Sequence, residues 1–294
     1  MKRIKQKYNY AVYLYILPWI LGFLLLQLVP LISSLWYSFT DYQMIGTPKF
    51  VGLANYAKAF KSPEFWKSLK VTCLYVLMAV PLKIAFALVI ALILSQKIKG
   101  INFFRTLYYL PSILGGSVAI SVLWKYLFMK NGIVNGLLSK IGITGPDWLG
   151  SPTWALFTVG LVTVWQFGSS MLLFLAGLKN IPESLYEAAS LDGAKTLRKF
   201  WSITLPSLSP IVLFNLVMQM INAFQEFTPA YVITQGGPLK STYLYGLMLY
   251  DQGFKFFKMG YSSALSWILF VIILAFTSTT FGSSQSWVHY GDES

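Results

Sequence analysis

The chain has 294 residues, 56% of them hydrophobic and only 11% charged, whereas soluble domains are about 25% charged; an ordinary globular protein is excluded. A net charge of +13 would suit a nucleic-acid binder only as a basic face, and these Lys and Arg residues are scattered between apolar runs, so no nucleic-acid partner is expected. One cysteine, Cys73, and one histidine, His289, leave no intrachain disulfide and no His/Cys metal site.

Apolar runs of about 20 residues, enough to cross a hydrocarbon core of about 30 Å, recur along the chain. Lys2, Arg3, Lys5 and Lys7 precede the first, over about 11–36. Its length, and the lack of a small-residue cleavage site after it, predict a retained helix, broken or kinked near Pro30. The second run, 70–95, carries Lys83 two residues after Pro81. That lysine could pair with an acid, line a cavity, or snorkel from a tilted helix. The third, 105–128, contains Gly115, Gly116 and Ser117, which suit close helix packing. The fourth, 154–177, carries Thr163, Gln166 and Ser170 as a short polar stripe beside Trp165.

The connection after it departs from everything before. Pro182 and Glu183 suit a first helical turn, and Gly193 suits a left-handed C-terminal cap. A second short helix is predicted from Thr196, stopping at Pro206, where the fifth run (206–227) begins. The pair would expose Ala188 and Ala189, small enough to admit a close partner; taken alone, it could equally be a surface connector. In the fifth run, Asn215, Gln219, Asn222 and Glu226 fall within about 60° of one another on a helix. The sixth run is 261–282.

These runs do not alternate, so helices are expected rather than barrel strands. The predicted fold is all-α, a polytopic membrane protein with six transmembrane helices and a helical pair outside the bilayer between the fourth and fifth. The membrane domain occupies 11–283, with tails over 1–10 and 284–294. Basic residues are dense in the N-tail, at Lys97, Lys99 and Arg105, and at Lys179, Lys195, Arg198 and Lys199. The positive-inside rule makes those segments and both termini cytoplasmic.

Glu187, Ala188, Ala189, Gly193, Ile203, Leu205 and Pro206 match, without insertion, the coupling-loop pattern of permease subunits in binding-protein-dependent ABC importers. The chain resembles the carbohydrate branch of that family along nearly its whole length. Lys49 to Tyr56 looks like its first external loop, and Phe103 to Thr106 with Leu110 and Pro111 like the entry to its third core helix. Phe174 to Leu178, Thr234 to Pro238 and Gly260 to Ala264 are similar to the first permease of glycerol-3-phosphate and raffinose-type systems.

The resemblance implies a bacterial cytoplasmic-membrane subunit that imports a sugar or oligosaccharide. A second homologous permease, two ATPase subunits and an external solute-binding protein would complete the machine. The coupling loop, 179–205, would meet the ATPase through Glu187, Ala188, Ala189, Ser190, Asp192 and Gly193. No cofactor is expected on this chain, and ATP with Mg²⁺ would sit on the partner. Gly237 to Ser241 is no phosphate loop, because a Walker motif needs Gly directly before the Lys, and Leu239 stands there.

Polar residues inside a span are costly and should face protein or a wet cavity. Gln166, Asn215, Gln219, Asn222, Glu226, Trp165 and Lys83 are therefore candidates for the substrate path, with interhelical hydrogen bonding as the competing account. Amide and carboxylate groups would bind sugar hydroxyls, and Trp165 or Phe224 would offer a flat face to the ring. The alternatives are an importer of another solute, such as glycerol phosphate or a polyamine, and a membrane-embedded lipid-processing enzyme. A phosphate-bearing solute would need more cations than Lys83.

Overall fold

The computed structural model describes residues 10–96 and 99–289. The basic N-tail, Lys97 and the end of the C-tail lie outside these residues. Among them, helices and no β-strand occur, and the chain divides into two compact units, 1–61 with 249–268 and 62–248 with 269–294.

In the first unit, α1 (10–38) runs through a π-helical turn at Leu24–Leu28 before Val29–Ser38. The irregularity expected near Pro30 therefore lies one turn ahead of it, and the helix is continuous. Proline has no N–H to return to the preceding turn, and widening that turn absorbs the mismatch. The helix α2 (Ala54–Lys61) follows a loop closed by Asn55, whose Nδ2 donates to Ser38 O at 2.9 Å and Thr40 O at 2.8 Å. Gly260 donates its N–H to Tyr42 O at 2.9 Å, and a Cβ at that glycine would run into the Thr40 carbonyl. The loop between α1 and α2 is thus tied to the start of the last helix.

The second unit is built around α3 (Pro63–Leu94), which packs against α7 (Pro152–Trp165), α8 (Gly168–Asn180) and α10 (Thr196–Phe224). Small residues permit this, since Ala79, Ala87 and Ala91 of α3 are fully buried. Between them in sequence come α4 (Ile101–Leu114), α5 (Val118–Leu127), α6 (Ile133–Lys140) and α9 (Glu183–Leu191). After α10 follow α11 (Tyr245–Tyr250) and α12 (Met259–Ser284), the latter shared between the two units.

Among the described residues, four helices are long and apolar enough to span a membrane, and two bent pairs bring the number to as many as six. The pair α4–α5 bends by 103° and α7–α8 by 47°. Gly116, at φ +78, makes the first bend, and the Ser117 hydroxyl caps α5 by accepting from Ile120 N–H at 3.2 Å. Gly115 admits the Gln166 side chain, which a Cβ would displace.

The helix expected to stop at Pro206 instead runs on to Phe224. A π-helical turn at Phe200–Thr204 again precedes the proline, so α10 is one element from Thr196. Its base is covered by the last described residue, as His289 N–H donates to Ser209 Oγ at 2.9 Å.

Candidate functional site

Two polar regions of the second unit carry the candidate residues. The first is the segment between α8 and α10. The helix α9 ends with Gly193 at φ +71, and Ala194 N–H returns to Ala189 O at 2.9 Å. That left-handed position is where glycine avoids the Cβ penalty. Glu187, Ala188, Ser190, Asp192 and Gly193 are exposed, and Ala189 is half-buried.

Local bonds fix the angle between α9 and α10. Tyr186 OH and Thr204 Oγ1 lie 2.9 Å apart, Lys199 Nζ donates to Ser190 Oγ at 2.6 Å, and Ser190 Oγ donates to Tyr186 O at 2.6 Å. Sequence reasoning missed Tyr186, Lys199 and Thr204 as structural members. Around this frame Leu191, Leu197 and Trp201 are 90%, 71% and 61% exposed. These large apolar side chains are left uncovered by the described residues.

The second region lies inside the unit. Thr163 of α7 donates to Glu226 Oε2 at 3.3 Å and bonds Tyr75 OH of α3 at 2.6 Å. Glu226 Oε1 accepts from Phe227 N–H at 3.1 Å. Lys83, buried on α3, attracts the Glu226 carboxylate electrostatically. Tyr75 is the member that sequence reasoning missed, because one tyrosine in an apolar span carries no periodic signal.

The remaining candidates separate. Gln219 Nε2 donates to Ser170 Oγ at 3.2 Å, joining α10 to α8 in the buried interior. Asn215 is buried, its Nδ2 bonding Ile211 O at 3.0 Å while Oδ1 has no partner. Asn222, on the same stripe, is exposed. Trp165 stands 5.6 Å from the Trp124 ring, and Gln166 packs on Gly115. Phe224 is buried against Phe276, with ring centroids 5.2 Å apart, so it presents no open face.

Residues 51–288 match the family of binding-protein-dependent transport system inner membrane components. The chain belongs to this family. It is 51% identical over 289 residues to the probable ABC transporter permease YesP of Bacillus subtilis, covering 97% of this chain and 94% of that one. It is 35% identical to the trehalose/maltose permease MalF of Thermococcus litoralis, with 93% and 94% covered. Identity to the arabinooligosaccharide permease AraP of Bacillus subtilis is also 35%, with 90% and 85% covered. A chain of a bacterial ABC transporter involved in alginate import shares the fold, at TM-score 0.82 and 21% identity over 95% of this chain and 96% of that one.

The permease is therefore a multi-pass transporter subunit and not an enzyme. The lipid-processing alternative falls with that result.

Proposed function

We propose that this permease is half of the translocation path of an importer for a neutral oligosaccharide, driven by ATPase subunits that dock on 179–205. The observation that carries the reading is that segment. Seven residues of the coupling pattern stand at fixed spacing, on a rigid helical pair surrounded by exposed Leu191, Leu197 and Trp201. Glu187, Ala188, Ala189, Ser190, Asp192 and Gly193 would contact the ATPase, which binds ATP and Mg²⁺.

The sugar class is supported by the relatives, one named for trehalose and maltose and another for arabinooligosaccharides. It is also supported by the path candidates, of which Gln166, Asn215, Gln219 and Asn222 are amides and Trp165 is an aromatic face, leaving Lys83 and Glu226 as the two charged members. Asn222 is exposed on the stripe and suits a sugar hydroxyl. In this reading the membrane domain is 11–283, both tails are cytoplasmic, and 37–69 and 228–260 face an external binding protein. A second homologous permease completes the path.

The test is purification of the tagged chain from its own membranes in mild detergent, with its companions identified by mass spectrometry. A second permease and an ATPase in a one-to-one-to-two ratio are expected. Recovery of the chain alone, or only as a homo-oligomer, would sink the reading.

A further inference from the structure

The helix that begins at the coupling segment ends at the interior cluster. Starting three residues after Gly193, α10 is continuous from Thr196 to Phe224, a rod of about 43 Å at about 1.5 Å per residue. Glu226 lies two residues beyond its end and is held from several elements. Thr163 of α7 donates to it, Tyr75 of α3 bonds Thr163, and Lys83 of α3 supplies the opposite charge. Gly246 of α11 packs on its backbone so closely that a Cβ there would come within 2.6 Å of the Glu226 carbonyl oxygen.

Two features set this cluster apart from a packing contact. Burying the Lys83 ammonium, with the Glu226 carboxylate half-buried, costs desolvation that neutral side chains avoid, and the Gln219–Ser170 bond shows that neutral groups suffice to join α10 to its neighbours. The carboxylate also sits past the end of a long rod, where a tilt gives the largest displacement. A tilt of about 3° about the midpoint moves that end by about 1 Å. The Thr163–Glu226 bond is already 3.3 Å long, so such a shift breaks it.

We propose that Tyr75, Thr163, Lys83 and Glu226 form a latch that holds the far end of α10 against α3 and α7, and that movement of the coupling segment opens it. They are gating residues that position α10, distinct from groups that read the sugar. The inference rests on the function proposed above, since it takes 179–205 as the segment the ATPase moves. It adds a return path. Loosening the latch frees the coupling segment, so the ATPase runs without its external signal.

The test uses the whole complex in lipid nanodiscs, with ATP hydrolysis measured with and without the binding protein. Tyr75→Phe and Thr163→Val remove hydroxyls at nearly constant volume, and Glu226→Gln removes the charge. Each is expected to raise binding-protein-independent hydrolysis, by about tenfold for Glu226→Gln, and to shrink stimulation by the binding protein correspondingly. The double reversal Lys83→Glu with Glu226→Lys is expected to bring the basal rate back toward wild type.

A misassembled complex loses activity, so a gain in basal rate separates gating from structural damage. Intact variant complexes whose basal rate is unchanged or lower would overturn the latch. Should Glu226→Gln fail to assemble, the two hydroxyl variants decide. A wild-type complex whose hydrolysis ignores the binding protein would instead overturn the importer reading.

Discussion

The exposed segment around Gly193 and the interior cluster of Tyr75, Lys83 and Thr163 around the half-buried Glu226 are both polar, yet they are organised in opposite ways. In the first, the bonds that join the two helices are local, Tyr186–Thr204 across 18 positions and Ser190–Lys199 across nine. In the second, Tyr75 meets Thr163 across 88 residues and Thr163 meets Glu226 across 63. A partner-facing surface must keep its shape when the partner leaves, so it is built from local bonds. A cluster that joins helices exists only while they are packed, and that makes it able to report on their movement.

The sharpest way to break the comparison is at Gly193. Its Cβ position meets nothing within 4 Å, while its φ is +71, so a substitution there acts through the backbone alone. A β-branched residue carries a left-handed penalty of about 1–2 kcal/mol, a factor of about 5–30. Gly193→Val is therefore expected to cut transport by about tenfold while the complex still inserts. Gly193→Asn, which tolerates that conformation, should retain most of the activity. Equal activity in both variants, measured as uptake in vesicles, would show that the turn does not set the coupling geometry.

Asn222→Leu tests the candidate sugar contact at an exposed position on α10. Loss of one neutral hydrogen bond is worth about 0.5–1.5 kcal/mol, or about two- to tenfold in binding. The apparent KM for the transported sugar should rise by that factor, with assembly unaffected. An unchanged KM would remove Asn222 from the path.

Tyr186→Phe asks whether the α9–α10 angle matters. Removing the hydroxyl breaks the bond to Thr204 without opening a cavity, at a cost of about 1 kcal/mol. The ATP consumed per sugar transported should rise a few-fold. A ratio equal to wild type would mean that the backbone turn alone holds the pair.

The same contrast explains what the sequence could reveal. Spans were legible because each is an apolar run of bilayer length, and the exposed pair because its signals are local. Helix continuity at Pro30 and Pro206 was not legible. The π-helical turns that carry the chain past them at Leu24–Leu28 and Phe200–Thr204 have no compositional signature. The bends at Gly115–Gly116 and at Gln166 were hidden because hydropathy continues across them. The stripe on the fifth span gives an angle only, and angle does not say what each residue faces; Glu226 lies beyond the helix end. Asn215 and Gln219 are buried, Asn222 is exposed, and Glu226 meets a tyrosine that periodicity could not nominate.

The smallest expected effect comes from Gln219, and it is informative for that reason. Its bond to Ser170 is 3.2 Å long and wholly buried, between neutral groups on α10 and α8. Interhelical bonds of this kind are worth about 0.6 kcal/mol, below threefold in any equilibrium. Gln219→Leu paired with Ser170→Ala removes both partners, leaving no orphaned polar atom in either side chain. Detergent melting of the complex should shift slightly, with uptake KM and basal ATP hydrolysis unchanged. A change in basal hydrolysis like that expected from Glu226→Gln would extend the latch to the middle of α10. A raised KM would instead assign Gln219 to the sugar, and the division between packing and path along the stripe would have to be redrawn.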